Sequence, residues 1–280
     1  MKKAFLLVVL SIISMTLLSA CGSSSAESKK VTIGVTGTDG KQWEVIKEKA
    51  AEEGIEIELV EFSDYTLPNQ ALANGDIDLN AFQHIAFLNQ FKQEHDLNLV
   101  PIGTTLIAPM GLYSEKFASP DEIPDGSEIA IPNDPTNQAR ALKLLQDAGL
   151  LTLSDDFGLF GTPEDIADNP KGLKITPIVA QQTPRVLKDV AASVINNGIA
   201  GQAGFVPNED SIFFEDPDNE GAKPYINIIA AREEDKDNEV YKRIVEIHQS
   251  EAVEEAIIED TNGGSVVVRT PISELQDVID

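Results

Sequence analysis

Asn137 and Arg140 stand three residues apart in the run Pro132-Asn133-Asp134-Pro135-Thr136-Asn137-Gln138-Ala139-Arg140. Asp is a favoured helix N-cap and Pro a favoured first helical residue, so a helix is predicted over 136–148. Residues three apart share a face, which sets Asn137 and Arg140 side by side in the first two turns. A helix N-terminus favours anions, and a guanidinium can grip a carboxylate through two parallel, charge-assisted bonds. The chemistry on offer is capture of a carboxylate; the plain alternative is an arginine on a solvated face. A second group is Phe82-Gln83-His84. Alternation over 76–81 (DIDLNA) puts Ile77, Leu79 and Ala81 on one face of a strand, and Asp76, Asp78, Asn80 and Phe82 on the other. Phe82 then lies at the carboxyl end of a polar face, where a ligand can use it, unless it packs beneath the helix that follows. Asn196 closes the strand-like SVIN, and Asn227 interrupts YINII. A buried amide needs partners, and its carbonyl can accept from an ammonium group. The ordinary alternative for each is a turn or strand-end residue.

The elements that must position these residues alternate. Residues 31–36 read as a buried strand, 42–53 as a helix ended by Gly54, and 56–62 as an alternating strand. A short helix opened by Pro68 stops at Asn74-Gly75, before the strand at 76–81. This β-α-β-α-β order predicts a mostly parallel sheet covered by helices. A second unit holds strands at 110–113 and 128–132, the helix ended by Gly149, and strands at 173–180 and 193–196. A helix is predicted over 185–192, between those last two strands. Residues 216–224 form a loop by composition. A strand at 225–231 and helices at 239–249 and 251–260 close the chain. Two α/β units predict two lobes facing across a cleft, with 31–108 and 226–280 in the first and 109–225 in the second. Ligands favour the carboxyl ends of such strands and clefts between lobes.

The amino terminus sets the compartment. Lys2 and Lys3 precede an apolar run over 4–20, and Leu18-Ser19-Ala20-Cys21 follows. That is a secretory signal over 1–20, with Cys21 placed for lipidation; the run is close to the ~20 residues a spanning helix needs. Residues 22–30 (GSSSAESKK) have the composition of a flexible tether, which with Cys21 occupies 21–30. Cys21 is the only cysteine, so no internal disulfide is available. The net charge is -26, and without Lys2 and Lys3 the balance becomes 19 basic against 47 acidic residues, or -28. Such a body is repelled by nucleic acid and anionic lipid. An enzyme is not expected. The only histidines are His84, His95 and His248, and no HExxH, GxSxG or P-loop pattern occurs. Catalysis by carboxylates alone stays open. Asp216, Asp218, Glu220 and Gly221 faintly echo a calcium loop, but Pro217 is awkward there and Asn227 stands where its bidentate Glu belongs. No metal and no cofactor are expected.

Several stretches together resemble the NlpA family of lipoproteins, and within it the methionine-binding components of methionine uptake transporters. They are Phe62-Ser63-Asp64-Tyr65 through Pro68-Asn69, Gly75-Asp76-Ile77-Asp78 through Asn80-Ala81-Phe82-Gln83-His84, and Ile131 through Asn137 with Arg140-Ala141-Leu142. Val194-Ile195-Asn196 and Tyr225-Ile226-Asn227 complete the set, in family order over the mature chain. The resemblance implies a type II periplasmic-binding fold. It implies an apolar pocket of Tyr65, Phe82 and Phe87 for a thioether, which sulfur–aromatic contacts would favour. It also implies Arg140 on the ligand carboxylate, Asn196 and Asn227 on its backbone polar groups, and His84 and Asn137 completing the wall. The implied partners are methionine or a related small molecule, an ABC permease with its ATPase, and the membrane through the lipid anchor. The location implied is the extracytoplasmic face of the cell membrane, and the state a monomer. The chain departs from the family at Ala86-Phe87, where a Pro-Tyr pair is usual, at Ile199, often Tyr, and at Ala191, often Asp. A lost hydroxyl can shift ligand preference. A methionine-containing dipeptide or another apolar amino acid is therefore an alternative ligand, and a surface adhesin or antigen the remote alternative role.

Overall fold

The computed structural model describes residues 29–37 and 40–279. The expected signal and Cys21 lie outside them. The chain opens with strand β1 (Lys29–Val35), helix α1 (Lys41–Glu52), β2 (Ile55–Glu61), α2 (Leu67–Asn74), β3 (Leu79–His84), α3 (Ile85–His95) and β4 (Leu99–Ile107). Strands β5 (Gly111–Tyr113) and β6 (Glu128–Pro132) follow, then α4 (Pro135–Asp147), a small hairpin of β7 (Thr152–Leu153) and β8 (Ile166–Asp168), and β9 (Lys174–Ile178). Next come β10 (Ala192–Ile195), α5 (Asn197–Gln202), α6 (Pro207–Asp210) and β11 (Phe213–Phe214). The last elements are β12 (Ile226–Arg232), α7 (Glu239–His248), α8 (Glu251–Asp260), β13 (Val266–Val267) and α9 (Gln276–Ile279).

Two sheets form two lobes, the architecture the sequence implies. The first has order β13-β4-β12-β3-β1-β2 and the second β11-β5-β10-β6-β9. In the first, β1 pairs in parallel with both β2 and β3, while the returning strand β12 runs antiparallel between β3 and β4. Ile107 and Ile226 are register partners, so the chain leaves the first sheet and re-enters it at one place.

The hydrophobic effect accounts for the layers. Trp43, Ile46 and Ala50 of α1 bury one stripe, at helical spacing, with Tyr241, Ile244 and Val253 of α7 and α8 against Ile33 and Leu79. Leu72, Ile85 and Leu88 cover the opposite face with Ile228 and Ala230. In the second lobe Ala141, Leu142, Leu144 and Leu145 of α4 pack with Ile129, Ile131, Ala192 and Val194. Gly54 and Gly75 end α1 and α2 at φ +72° and +79°, a region that favours glycine.

Several expectations need correction. Residues 76–78 are not strand: the Asp78 carboxylate accepts from Thr32 N and Oγ1 at 2.7 and 2.8 Å, so a side chain takes the place of a ladder rung and β3 starts at Leu79. Ile77 therefore does not share a face with Leu79; the two belong to different cores. Asn80 is fully buried, held by Asn69 and Gln83, so the supposedly polar face lies under α2. The helix expected at 185–192 is a run of tight turns. Pro184 offers no N–H, and Leu187 and Val190 are anchored in the core just ahead of β10. Strand β4 and helix α3 are not legible in the periodicity. Pro101 and Gly103 break the alternation of β4, and its register with β12 shifts there.

Candidate functional site

All eight residues singled out as ligand contacts line one cavity of about 530 Å³ between the lobes: Tyr65, Phe82, His84, Phe87, Asn137, Arg140, Asn196 and Asn227. Each arrives by a local device. The Asp134 carboxylate caps α4 by accepting from Asn137 N at 3.1 Å, and it also accepts from Asn137 Nδ2 at 2.8 Å. Asn137 thus sits in the first turn of the helix and presents its Oδ1 to His84 and Asn196. His84 ends β3 and caps α3, its Nδ1 accepting from Phe87 N at 3.1 Å. A neutral ring whose Nδ1 accepts carries its proton on Nε2. That proton is donated across the cleft to Asn137 Oδ1 at 3.3 Å. Burial, then the nearby Arg140 charge, pull the His84 pKa down to about 3 against the Asn137 bond, so the ring is neutral near pH 7. Asn137 Oδ1 also accepts from Asn196 Nδ2 at 2.9 Å. The chain of bonds fixes the Asn196 amide, whose Oδ1 is buried and has no hydrogen-bond partner. A buried acceptor left so is costly, and in a residue that lines the cavity it can accept from an N–H group.

Apolar and charged walls face each other. The rings of Tyr65, Phe82 and Phe87 form a triangle with centroids 5.9 to 6.1 Å apart, within the range for aromatic pairs. Burial, with the Asp134 charge nearby, raises the Tyr65 pKa and keeps it a neutral phenol. Arg140 is 3% exposed, so the solvated-face alternative is excluded. Its Cζ lies 4.5 Å from the centroid of the Tyr225 ring, a cation–π stack. Burial raises the Tyr225 pKa to about 12. Asn227 sits opposite His84 in the β12–β3 ladder, which brings it to the same wall. Together these groups can hold an apolar side chain, a carboxylate and an N–H donor at once.

Other residues at the site carry no sequence signal. Glu215 pairs with Arg140 through Nη2–Oε2 at 2.5 Å. Gln202 Nε2 donates to Thr36 O, and Asn208 Nδ2 donates to Asn262 O at 3.0 Å, while Asn262 Nδ2 donates to Glu209. These contacts bridge the lobes at the cleft mouth. The cavity continues to Trp43 and His248, whose rings meet edge to face at 6.1 Å.

A family model described as NlpA lipoprotein matches residues 31–268. The chain is 45% identical over 253 residues to the D-methionine-binding lipoprotein MetQ of Salmonella typhimurium, covering 89% of this chain and 92% of that relative. Among solved structures it is similar to protein PG110 from Staphylococcus aureus, with 49% identity and a TM-score of 0.87 over 89% of this chain and 98% of that one. It is also similar to a nutrient-binding protein from Burkholderia cenocepacia solved bound to methionine, with 41% identity and a TM-score of 0.80 over 85% and 99% of the two chains.

Proposed function

Because the chain belongs to the NlpA lipoprotein family, we propose that it is the extracytoplasmic solute-binding component of a methionine ABC importer. Cys21 is its lipid anchor to the cell membrane, and a permease with its ATPase is its partner. The protein acts as a monomer with lobes at 31–108 plus 226–280 and at 109–225. The observation that carries this reading is the juxtaposition of three aromatic rings with Arg140 and the unpartnered Asn196 Oδ1 in one buried cavity. The thioether lies among Tyr65, Phe82 and Phe87, where sulfur–ring contacts add to apolar burial. Arg140 holds the carboxylate, and Asn196 and Asn227 hold the ammonium group. His84 is neutral and adds no competing charge. Binding brings the lobes together by hinge motion, and closure excludes water, which strengthens each charged bond. A micromolar ligand needs about 8 kcal/mol, within reach of one ion pair and one buried apolar side chain.

Titration calorimetry tests the reading: L-methionine binds with micromolar or tighter affinity, and Arg140→Ala weakens it by well over ~10-fold. No heat with any amino acid or dipeptide would sink the proposal and leave a surface adhesin. A methionine-containing dipeptide is the second reading, favoured by the extension of the cavity to Trp43 and His248. Competition between methionine and such dipeptides separates the two.

A further inference from the structure

The Arg140 guanidinium is not offered to the cavity as a free fork, as its sequence context suggests. Its Nε donates to Glu215 Oε1 and Oε2 at 2.9 and 3.1 Å, and its Nη2 donates to Glu215 Oε2 at 2.5 Å and to the Ala108 carbonyl at 3.0 Å. Of the three nitrogens only Nη1 has no partner among the described residues. A ligand carboxylate therefore meets Nη1 alone, not a two-nitrogen edge. Glu215 is itself held. Its Oε2 accepts from Met110 N at 2.9 Å, and its own N–H donates to Met110 O. Ala108 and Met110 belong to the segment that leaves β4 for the second lobe, and Glu215 begins the segment that returns from β11 to β12. Arg140 is 3% exposed and Glu215 17%, so solvent screens the pair weakly.

We propose that Glu215 is a positioning and specificity-determining residue, which fixes Arg140 and cancels its charge so that the site admits zwitterions and rejects simple carboxylates. The inference rests on the amino-acid reading above. With Glu215 in place, the guanidinium already has one carboxylate. A zwitterion adds a positive and a negative charge together, so its entry leaves the net charge of the buried site unchanged. A ligand with a carboxylate but no ammonium brings an unbalanced negative charge into a buried site that already holds the Glu215 and Asp134 carboxyl groups. Uncompensated buried charge is strongly disfavoured. An arginine without its glutamate would welcome such an anion, so the glutamate is the repulsive element that selectivity needs.

The test compares methionine with its 2-hydroxy analogue, in which –OH replaces –NH3⁺ at nearly constant shape. Dissociation constants of both are measured for the native protein, Glu215→Gln and Glu215→Asp. The native protein prefers methionine. In Glu215→Gln the ratio of the two constants falls by about tenfold or more, because the variant loses one negative charge beside the incoming anion. Glu215→Asp keeps the charge and holds the native ratio within about threefold. Equal weakening of both ligands, with the ratio unchanged, would assign Glu215 a purely structural role and overturn the inference. Loss of the cooperative melting transition in both variants would overturn it in the same way. Failure of the native protein to bind methionine would instead remove the ligand reading on which the inference stands.

Discussion

His84 and His248 are both buried, at 5% and 4% exposure, and both are held neutral. Burial, reinforced by Arg140, brings His84 to about 3, and burial brings His248 to about 4. In an unfolded chain both rings titrate near 6.5. Above that pH neither state gains a proton, and the contribution to stability is complete. Below it the unfolded chain binds protons that the folded state refuses, so stability falls as pH drops, until about 4 for His248 and about 3 for His84. Each ring contributes a slope of up to ~1.4 kcal/mol per pH unit in its window. Burial raises the Asp134 carboxyl, which acts with the opposite sign above its ordinary value, one group set against two rings. The melting temperature should therefore fall between pH 7 and pH 5. His248→Leu should flatten that fall, and an unchanged slope in the variant would refute the assignment. At this scale Phe82, Arg140 with Asn137, Asn196 and Asn227 are readable because they break local patterns: an arginine behind a helix cap, a ring at a strand end, an amide in an apolar run. Tyr65, His84 and Phe87 enter only through the family resemblance. Glu215 breaks none. It is one of 47 acidic residues, and its partner Arg140 is 75 positions away.

At the scale of elements, the N-terminus of α4 carries the most function per residue. Asp134 both caps the helix and orients Asn137, through which His84 and Asn196 are aligned. Asp134→Ala should cost about 1 kcal/mol of stability, as lost caps do, and should also weaken methionine binding. Gly75→Ala provides the contrast. Its φ of +79° disfavours a side chain, although a Cβ there would meet nothing within 4 Å. It should lose about 1 kcal/mol with binding unchanged. Chemical denaturation with parallel calorimetry distinguishes the two, and equal effects on binding would refute the distinction. Legibility followed periodicity. Strand β6 falls at 128–132 as predicted, and α7 and α8 agree with prediction to within one residue, because their apolar stripes are unbroken. Strand β4 failed through its Pro and Gly, and the turns at 185–190 failed because Leu187 and Val190 mimic a helical stripe.

For the whole molecule, the two lobes meet through few but specific polar contacts. Asn262 takes part in two of them, and at φ +48° it occupies a conformation glycine also accepts. Asn262→Gly keeps the backbone carbonyl that Asn208 binds and removes only the side-chain bond to Glu209. Stopped-flow measurement should show faster methionine release, by about threefold to tenfold, the range of a net hydrogen bond. An unchanged off-rate would remove this contact from the closure. The two-lobe plan was legible from the order of strands and helices. The bridging residues were not, since they become neighbours only when the lobes face each other.

The pairing of Ile107 with Ile226 gives this molecule a seam. Everything between them is, in topology, the loop of a β-hairpin that has grown into a body with its own sheet. Long insertions add little closure entropy, and the ends stay adjacent whatever lies between. Joining the two isoleucines by a tight turn would splice out that body and leave a self-contained single-sheet miniature with its principal ladder intact. The excised piece, with its ends side by side, would be suited to grafting as a cassette into another hairpin.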